Sequence, residues 1–385
     1  MEYALRANKK CIKCLIMKLF IISDLSDIHT KRWVSALAGR GIEIFLFGIN
    51  KPDEEFYKKL KQVTVFSVDV FSKMQHPFRT GGIEKLKYLS VVKILRKKIQ
   101  EFQPDIVHAH YASSNGLLGA LSGFHPFIVS VWGSDVYDFP KVSFLHRCIL
   151  KYTLKKADKI LSTSHVMALE THQYTPKEIE ITPFGVNTDL FKKIPVHRDD
   201  TYIIGNVKTL LPKYGIDVLI KAFQLVVDRN ADKELRLEIV GTGPDHEKLE
   251  QLAKSLEIAD KVHFIGQVEN SSLPSYYNRF LVAVSASVWN SESFGVVAVE
   301  AMACECPVVT SDADGFTEVV KDGETGFIVP KKDVEKTAEA IQKFIDHPEL
   351  RDEMGRKGRE RVLALYDWNK NVDMMVDIYQ SIYNK

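Results

Sequence analysis

The 385-residue sequence is poor in the features that mark several specialised protein classes. Cysteine is scarce: five residues cannot form a disulfide framework at this length, so a reducing cytoplasm is the expected setting. No run of 18 apolar residues occurs. The nearest stretches, 15–22 and 280–289, are too short, and Lys18 interrupts the first, which argues against a transmembrane helix. No interleaved basic–aromatic motif is present and the second half is acidic, which disfavours nucleic-acid binding. A hydrophobic share of 45% with 26% charged residues excludes extended disorder and collagen-like structure. Finally, no G-x-G-x-x-G follows the first strand-like segment, which argues against a nicotinamide-dependent dehydrogenase.

What is present points to two domains, as the length suggests. Residues 1–190 carry a net charge of +9 and residues 191–385 one of −7, consistent with two parts doing different jobs. Residues 1–16 read as a disordered extension or an upstream start, because Met17 opens the first strand-like run directly. The Cys11/Cys14 pair, even with Cys304 and Cys306, lacks the ligand pattern that zinc needs. From Met17 short β-branched runs alternate with helical stretches. Strands are expected at 18–23, 43–47, 105–109, 127–131 and 159–163, and again at 202–206, 235–240, 262–264, 281–285, 307–310 and 326–329. Such alternation predicts parallel sheets covered by helices. The expected organisation is two Rossmann-like, doubly wound domains, 17–190 and 191–365, facing a cleft, with a final helix (366–385) crossing back to the first domain. Ligands of such folds lie beyond the carboxyl ends of the strands.

The richest stretch is NSESFGVVAVEAMACECPVV, 290–309. A helix is expected from Phe294, with Glu292 just ahead of it and Glu300 about 12 Å further along at ~1.5 Å rise per residue. Gly295 would let a ligand approach the backbone, and the helix N-terminus would hold an anion. Carboxylates only accept hydrogen bonds, which suits paired sugar hydroxyls. A lone E-x7-E is a weak pattern, but it has company. Together with PDIVHAHY (104–111), VSVWGSD (129–135), PFGVNTDLF (183–191), KTLLPKYGIDVLIKAF (208–223), LEIVGTGPDHEKLE (237–250), VHFIGQV (262–268) and EVVKDGETGFIVP (318–330), it resembles the retaining glycosyltransferases of GT-B fold, in particular the large family 4.

The resemblance implies sugar transfer from an activated nucleotide with retention of anomeric configuration and without a metal. It assigns Glu292 to donor-sugar hydroxyls, Glu300 to the ribose, and backbone amides of Phe294, Gly295 and Val296 to the sugar and phosphates. Lys208 and Lys213 fall where the family places an Arg and a Lys on the diphosphate, a role that fits their chemistry, since a departing diphosphate needs fixed cations. His110 matches a histidine beside the donor sugar and acceptor. Strand alternation is taken to turn His108 to the opposite side, in a structural role. Trp132, where many relatives have histidine, either stacks on a sugar or packs, and with Asp135 it is placed on the acceptor side. Departures from the family are Lys208 in place of Arg, Tyr214 as an added residue before Gly215, SDLSDIHT (23–30) in place of a glycine-rich turn, and Glu305 in place of a glycine. Asp312-Ala313-Asp314 resembles a D-x-D metal motif but is expected to be a loop.

The implied partners are a UDP- or GDP-linked sugar and a glycan or lipid-linked acceptor, as in cell-envelope or exopolysaccharide synthesis. Loops at 73–82 and 137–140 would choose the acceptor. The helix expected at 83–102 carries Lys85, Lys93, Arg96, Lys97 and Lys98, a face that either is simply solvated or touches an anionic membrane. A nucleotide-sugar epimerase of the same fold and a non-catalytic partner subunit are the alternative readings.

Overall fold

The computed structural model describes residues 16–68, 84–196 and 201–384, with the side chains of 84–89 left out. Seven strands, β1 (Lys18–Ile22), β2 (Glu43–Gly48), β3 (Val63–Ser67), β4 (Ile106–His110), β5 (Phe127–Val131), β6 (Lys159–Ser162) and β7 (Ile179–Ile181), form a sheet of order β3-β2-β1-β4-β5-β6-β7. Six more, β8 (Tyr202–Val207), β9 (Leu235–Val240), β10 (Val262–Gly266), β11 (Val282–Ser285), β12 (Val308–Ser311) and β13 (Gly326–Val329), form a second sheet of order β10-β9-β8-β11-β12-β13. Neighbouring strands run parallel, as in β1–β2, β1–β4, β8–β9 and β11–β8. The expected α/β fold class, doubly wound in both sheets, is therefore what the chain adopts.

Each sheet reverses its winding once. In the first the reversal lies between β1 and β4, in the second between β8 and β11. A crevice opens at such a switch point, because the connections leave to opposite faces of the sheet. The strands near the middle of the first sheet are largely apolar runs, β1 reading KLFII and β5 FIVSV, as strands covered on both faces require. The core of the second sheet gathers Ile204, Leu237, Ile239, Val282, Val284 and Val309 under two helices. Helix Ile216–Arg229 contributes Leu219, Ile220 and Phe223, and helix Val334–Asp346 contributes Ala338, Ile341 and Phe344.

The described residues form two compact units. One comprises residues up to His110, Ser114–Ile128 and those from Tyr379; the other comprises Tyr111–Ser113 and Val129–Ile378. Three local expectations need correction. The strand expected to end at Ala109 runs through His110. The helix expected from Phe294 begins at Val296. Asp314 opens a helix, Asp314–Val319, rather than lying in a loop. Strands β3 and β7 were not anticipated: β3 sits at a sheet edge with no fully buried residue, and β7 is three residues long. Of the expected extension, 1–16, residues 1–15 with Cys11 and Cys14 lie outside the described residues, as does the 73–82 loop. Among those residues no helix is long and apolar enough to cross a membrane.

Candidate active site

The switch point of the second sheet brings two of the expected residues together. Lys208 follows the carboxyl end of β8, and Glu292 lies in the loop after β11. Because these strands are neighbours, Lys208 Nζ and Glu292 Oε2 meet at 2.6 Å, with side chains only 15% and 10% exposed. Ser287 Oγ also donates to Glu292 Oε2, at 3.3 Å. Burial would depress the Lys208 pKa, but Glu292, with Tyr214 and Glu300, outweighs it and holds the ammonium above its ordinary value. The Tyr214 ring faces both lysines, with Lys208 Nζ 4.5 Å and Lys213 Nζ 4.9 Å from its centroid. The residue that looked like an insertion thus presents one aromatic face to two ammonium groups. Gly215, which follows it, has φ +61°, and a Cβ there would meet Ala286 O at 2.1 Å.

Gly295 caps helix Val296–Ala303 with φ +79°, and no side chain caps this end. A Cβ on Gly295 would come within 2.7 Å of Phe316 Cδ1, so close packing beneath it requires glycine as much as any ligand above. Phe294 is buried edge-on against the rings of Phe184 and Tyr366. The carbonyl of Glu292 accepts from Gly315 N at 2.8 Å, which ties down the loop ahead of the helix. The helix begins a few residues after Glu292, and its first-turn amides and positive dipole end are suited to phosphate. Glu300 sits in the helix itself, 6% exposed, and accepts from Tyr277 Oη at 3.1 Å. Burial and that carboxylate push the Tyr277 hydroxyl well up, so it stays a donor. Past the helix, Glu305 has φ +57°, a left-handed conformation that explains the family's glycine there. Its carboxylate pairs with Lys193 at 2.8 Å.

In the first unit the corresponding switch point brings β1 and β4 together. Ser23 Oγ lies 3.1 Å from His110 Nδ1 and 2.7 Å from Thr30 Oγ1. Asn115 donates to the His110 carbonyl at 3.0 Å. Burial, and secondarily His108, depress the His110 pKa well below its ordinary value, so the imidazole is neutral at pH 7. His108 does not turn to the opposite side. Residues two apart on a strand share a face, and the two rings meet edge-to-face at 4.8 Å. The His108 Nδ1 lies 2.7 Å from Tyr379 Oη. The SDLSDIHT segment is an N-cap rather than a glycine turn: Asp27 accepts from His29 N and Thr30 N, opening helix Ile28–Ala38.

Two acceptor-side candidates are engaged internally. Asp135 is buried and accepts from the amides of Ala112, Trp132 and Gly133, so its carboxylate shapes the loop after β5 and is not presented to an acceptor. Burial raises its pKa, and those amides oppose the rise. Trp132 packs edge-on against Tyr111 and Phe184. Its carbonyl accepts from Ser293 Oγ at 2.9 Å, beside Glu292. Asp312 pairs with Lys331 at 3.2 Å, and among the described residues no three His, Cys, Asp or Glu side chains gather as a metal site.

Residues 187–361 match the family described as Glycosyl transferases group 1, and residues 18–164 match Glycosyl transferase 4-like. The chain belongs to the group 1 glycosyltransferases. It is 26% identical over 361 residues to an uncharacterised glycosyltransferase of Methanocaldococcus jannaschii, covering 92% of this chain and 94% of that one. In fold it is similar to sucrose-phosphate synthase from Thermosynechococcus elongatus, with a TM-score of 0.79 at 22% identity over 96% and 99% of the two chains. It is similar also to Anabaena HepE, solved in complex with UDP, with a TM-score of 0.76 at 18% identity over 95% and 100%. The fold is therefore GT-B.

Three residues that contact these side chains were not picked out as site residues in the sequence. Tyr277 orients Glu300, Ser287 supports Glu292, and Tyr214 lies against both lysines. Only Tyr214 left a sequence signal, as a departure from the family's spacing. The other two are brought in by tertiary packing.

Proposed function

We propose that this glycosyltransferase moves a hexosyl or N-acetylhexosaminyl group from a UDP- or GDP-sugar to a hydroxyl of a glycan or lipid-linked acceptor, with retention. The reading places it at the inner face of the cytoplasmic membrane, in cell-envelope or exopolysaccharide synthesis. The observation that carries it is the Lys208–Glu292 pair, its carboxylate a few residues ahead of the uncapped helix end. An entering diphosphate takes Lys208 and Lys213 and the first-turn amides. Glu292, released from Lys208, accepts from the sugar hydroxyls, and Glu300 accepts from the ribose. As the bond from the anomeric carbon to the phosphate oxygen breaks, the two ammonium groups stabilise the charge on that oxygen. The acceptor oxygen bonds to the same face of the sugar, and its proton passes to the departing phosphate oxygen. His110, neutral and held against Ser23, is assigned to the sugar and acceptor by the family resemblance.

The test is thermal unfolding with UDP, GDP and ADP and their sugars in the presence of a chelator, followed by NMR of the product anomer. At a hundredfold excess over Kd a ligand stabilises by about 2.7 kcal/mol. One nucleotide should raise the midpoint of the native chain and not of Glu300→Ala, and the product should retain the donor's configuration. Conversion of donor without acceptor would favour an epimerase, and an inverted product would refute the mechanism.

A further inference from the structure

The face of the second unit that runs from Lys141 to Lys156 combines exposed apolar side chains with cations. Val142, Phe144 and Leu145 are 67%, 82% and 52% exposed, three large apolar side chains within four residues. They lead into helix Phe144–Lys156, FLHRCILKYTLKK, which contains no acidic residue. Its inner face buries Leu150, Thr153 and Leu154. At 3.6 residues per turn the opposite face carries Phe144, Leu145, Cys148 and Tyr152, flanked by Lys151, Lys155 and Lys156. Among the described residues no carboxylate lies within 4.0 Å of Arg147, Lys151, Lys155 or Lys156, although most other surface lysines that pair do so with an acid close by in sequence. The Lys156 ammonium instead lies 5.8 Å from the Tyr152 ring centroid.

Exposed apolar side chains in a row cost solvation unless something covers them, and unpaired cations around them select what that is. We infer that this face docks on an anionic lipid surface, with Val142, Phe144 and Leu145 entering the headgroup–acyl boundary and the four cations of the helix meeting lipid phosphates. Lysine stems reach past an apolar stripe to do this without burying charge. The helix whose basic face the sequence left as either solvated or membrane-facing, expected at 83–102 and found at Glu84–Phe102, is less suited. Among its described residues Arg96 donates to the carbonyls of Leu121 and Ser122, Lys98 pairs with Glu101, and Val91, Leu95 and Ile99 face inward. Among those described residues no large apolar side chain accompanies the cations outward. The inference does not depend on the donor chemistry proposed above.

The experiment is co-sedimentation of the full chain with vesicles of phosphatidylcholine alone or with ~30% phosphatidylglycerol, at low and high salt. The native chain should partition onto anionic vesicles at least tenfold more than onto neutral ones, and salt should weaken that preference. Phe144→Ser with Leu145→Ser should lose about tenfold or more. Lys151→Glu with Lys155→Glu should lose more still, since each cation contributes about fivefold near such a surface. Lys93→Glu with Lys97→Glu, on the other helix, should stay within about fivefold of native. Unchanged unfolding midpoints keep the comparison clean, because all these positions are exposed. Equal binding to both vesicle types overturns the inference. So does native binding by the Phe144/Leu145 variant, or a concentration-dependent dimer that this variant abolishes while vesicles bind neither protein.

Discussion

Replacing Lys208 by methionine separates what the Lys208–Glu292 pair does for the fold from what it does for the reaction. The pair is nearly buried, and Glu292 has, besides Lys208, a hydroxyl 3.3 Å away. Removing the ammonium strands a desolvated carboxylate, and breaking a buried pair in this way costs about 3–5 kcal/mol. Tyr214 and the shallow exposure of both groups favour the lower end, about 3 kcal/mol. For a unit of this size, that lowers Tm by about 10 °C. Adding Glu292→Gln removes the stranded charge, so the double variant should recover about 2 kcal/mol of the loss. Transfer should remain abolished in both. The assay is a guanidinium double-mutant cycle on the native chain, Lys208→Met, Glu292→Gln and the pair, with turnover measured in parallel. Additive single losses, with a coupling below about 0.5 kcal/mol, would refute the claim that the two groups are one electrostatic unit.

Tyr277→Phe frees Glu300 from its hydroxyl donor at 3.1 Å, so donor KM should rise about tenfold with kcat nearly unchanged in steady-state kinetics. An equal loss in kcat would instead assign Tyr277 to the transition state. Gly295→Ala forces a side chain into φ +79° against Phe316, and the denaturant midpoint should report a loss of about 2 kcal/mol or more. His108 is buried neutral with its pKa pushed down to about 3 from 6.5. The unfolded chain therefore binds its proton first as pH falls through 6.5. Stability should drop by about 2 kcal/mol on this account between pH 7 and 5, and the fall should be shallower in His108→Gln. Parallel stability curves for the two proteins would contradict that assignment.

Much of the fold was legible because its signals are local. Helix Ile216–Arg229 buries one face at 3.6-residue spacing, β5 is a largely apolar run, and the ends of β5 and β9 match those expected. Site residues were legible one at a time, through motifs. Their partnerships were not, because Lys208 meets Glu292 only where β8 lies beside β11, and strand order is not written in any short pattern. The same holds for Tyr277 under Glu300. Asp135 shows the converse: its sequence context looks like a site, yet three backbone amides occupy it. The turn before helix Val296–Ala303 was misplaced because Phe294 continues the apolar pattern, while the left-handed Gly295 interrupts the backbone. His108 was misplaced by an error of period, since positions i and i+2 of a strand face the same way.

The measurement that bears most directly on the proposed donor site is calorimetric titration of the stabilising nucleoside diphosphate into the native chain, Lys208→Met and His110→Ala. The reading predicts that binding is weakened at least a hundredfold in Lys208→Met and is nearly unchanged in His110→Ala, whose residue belongs to the first unit. Native affinity in Lys208→Met would contradict it.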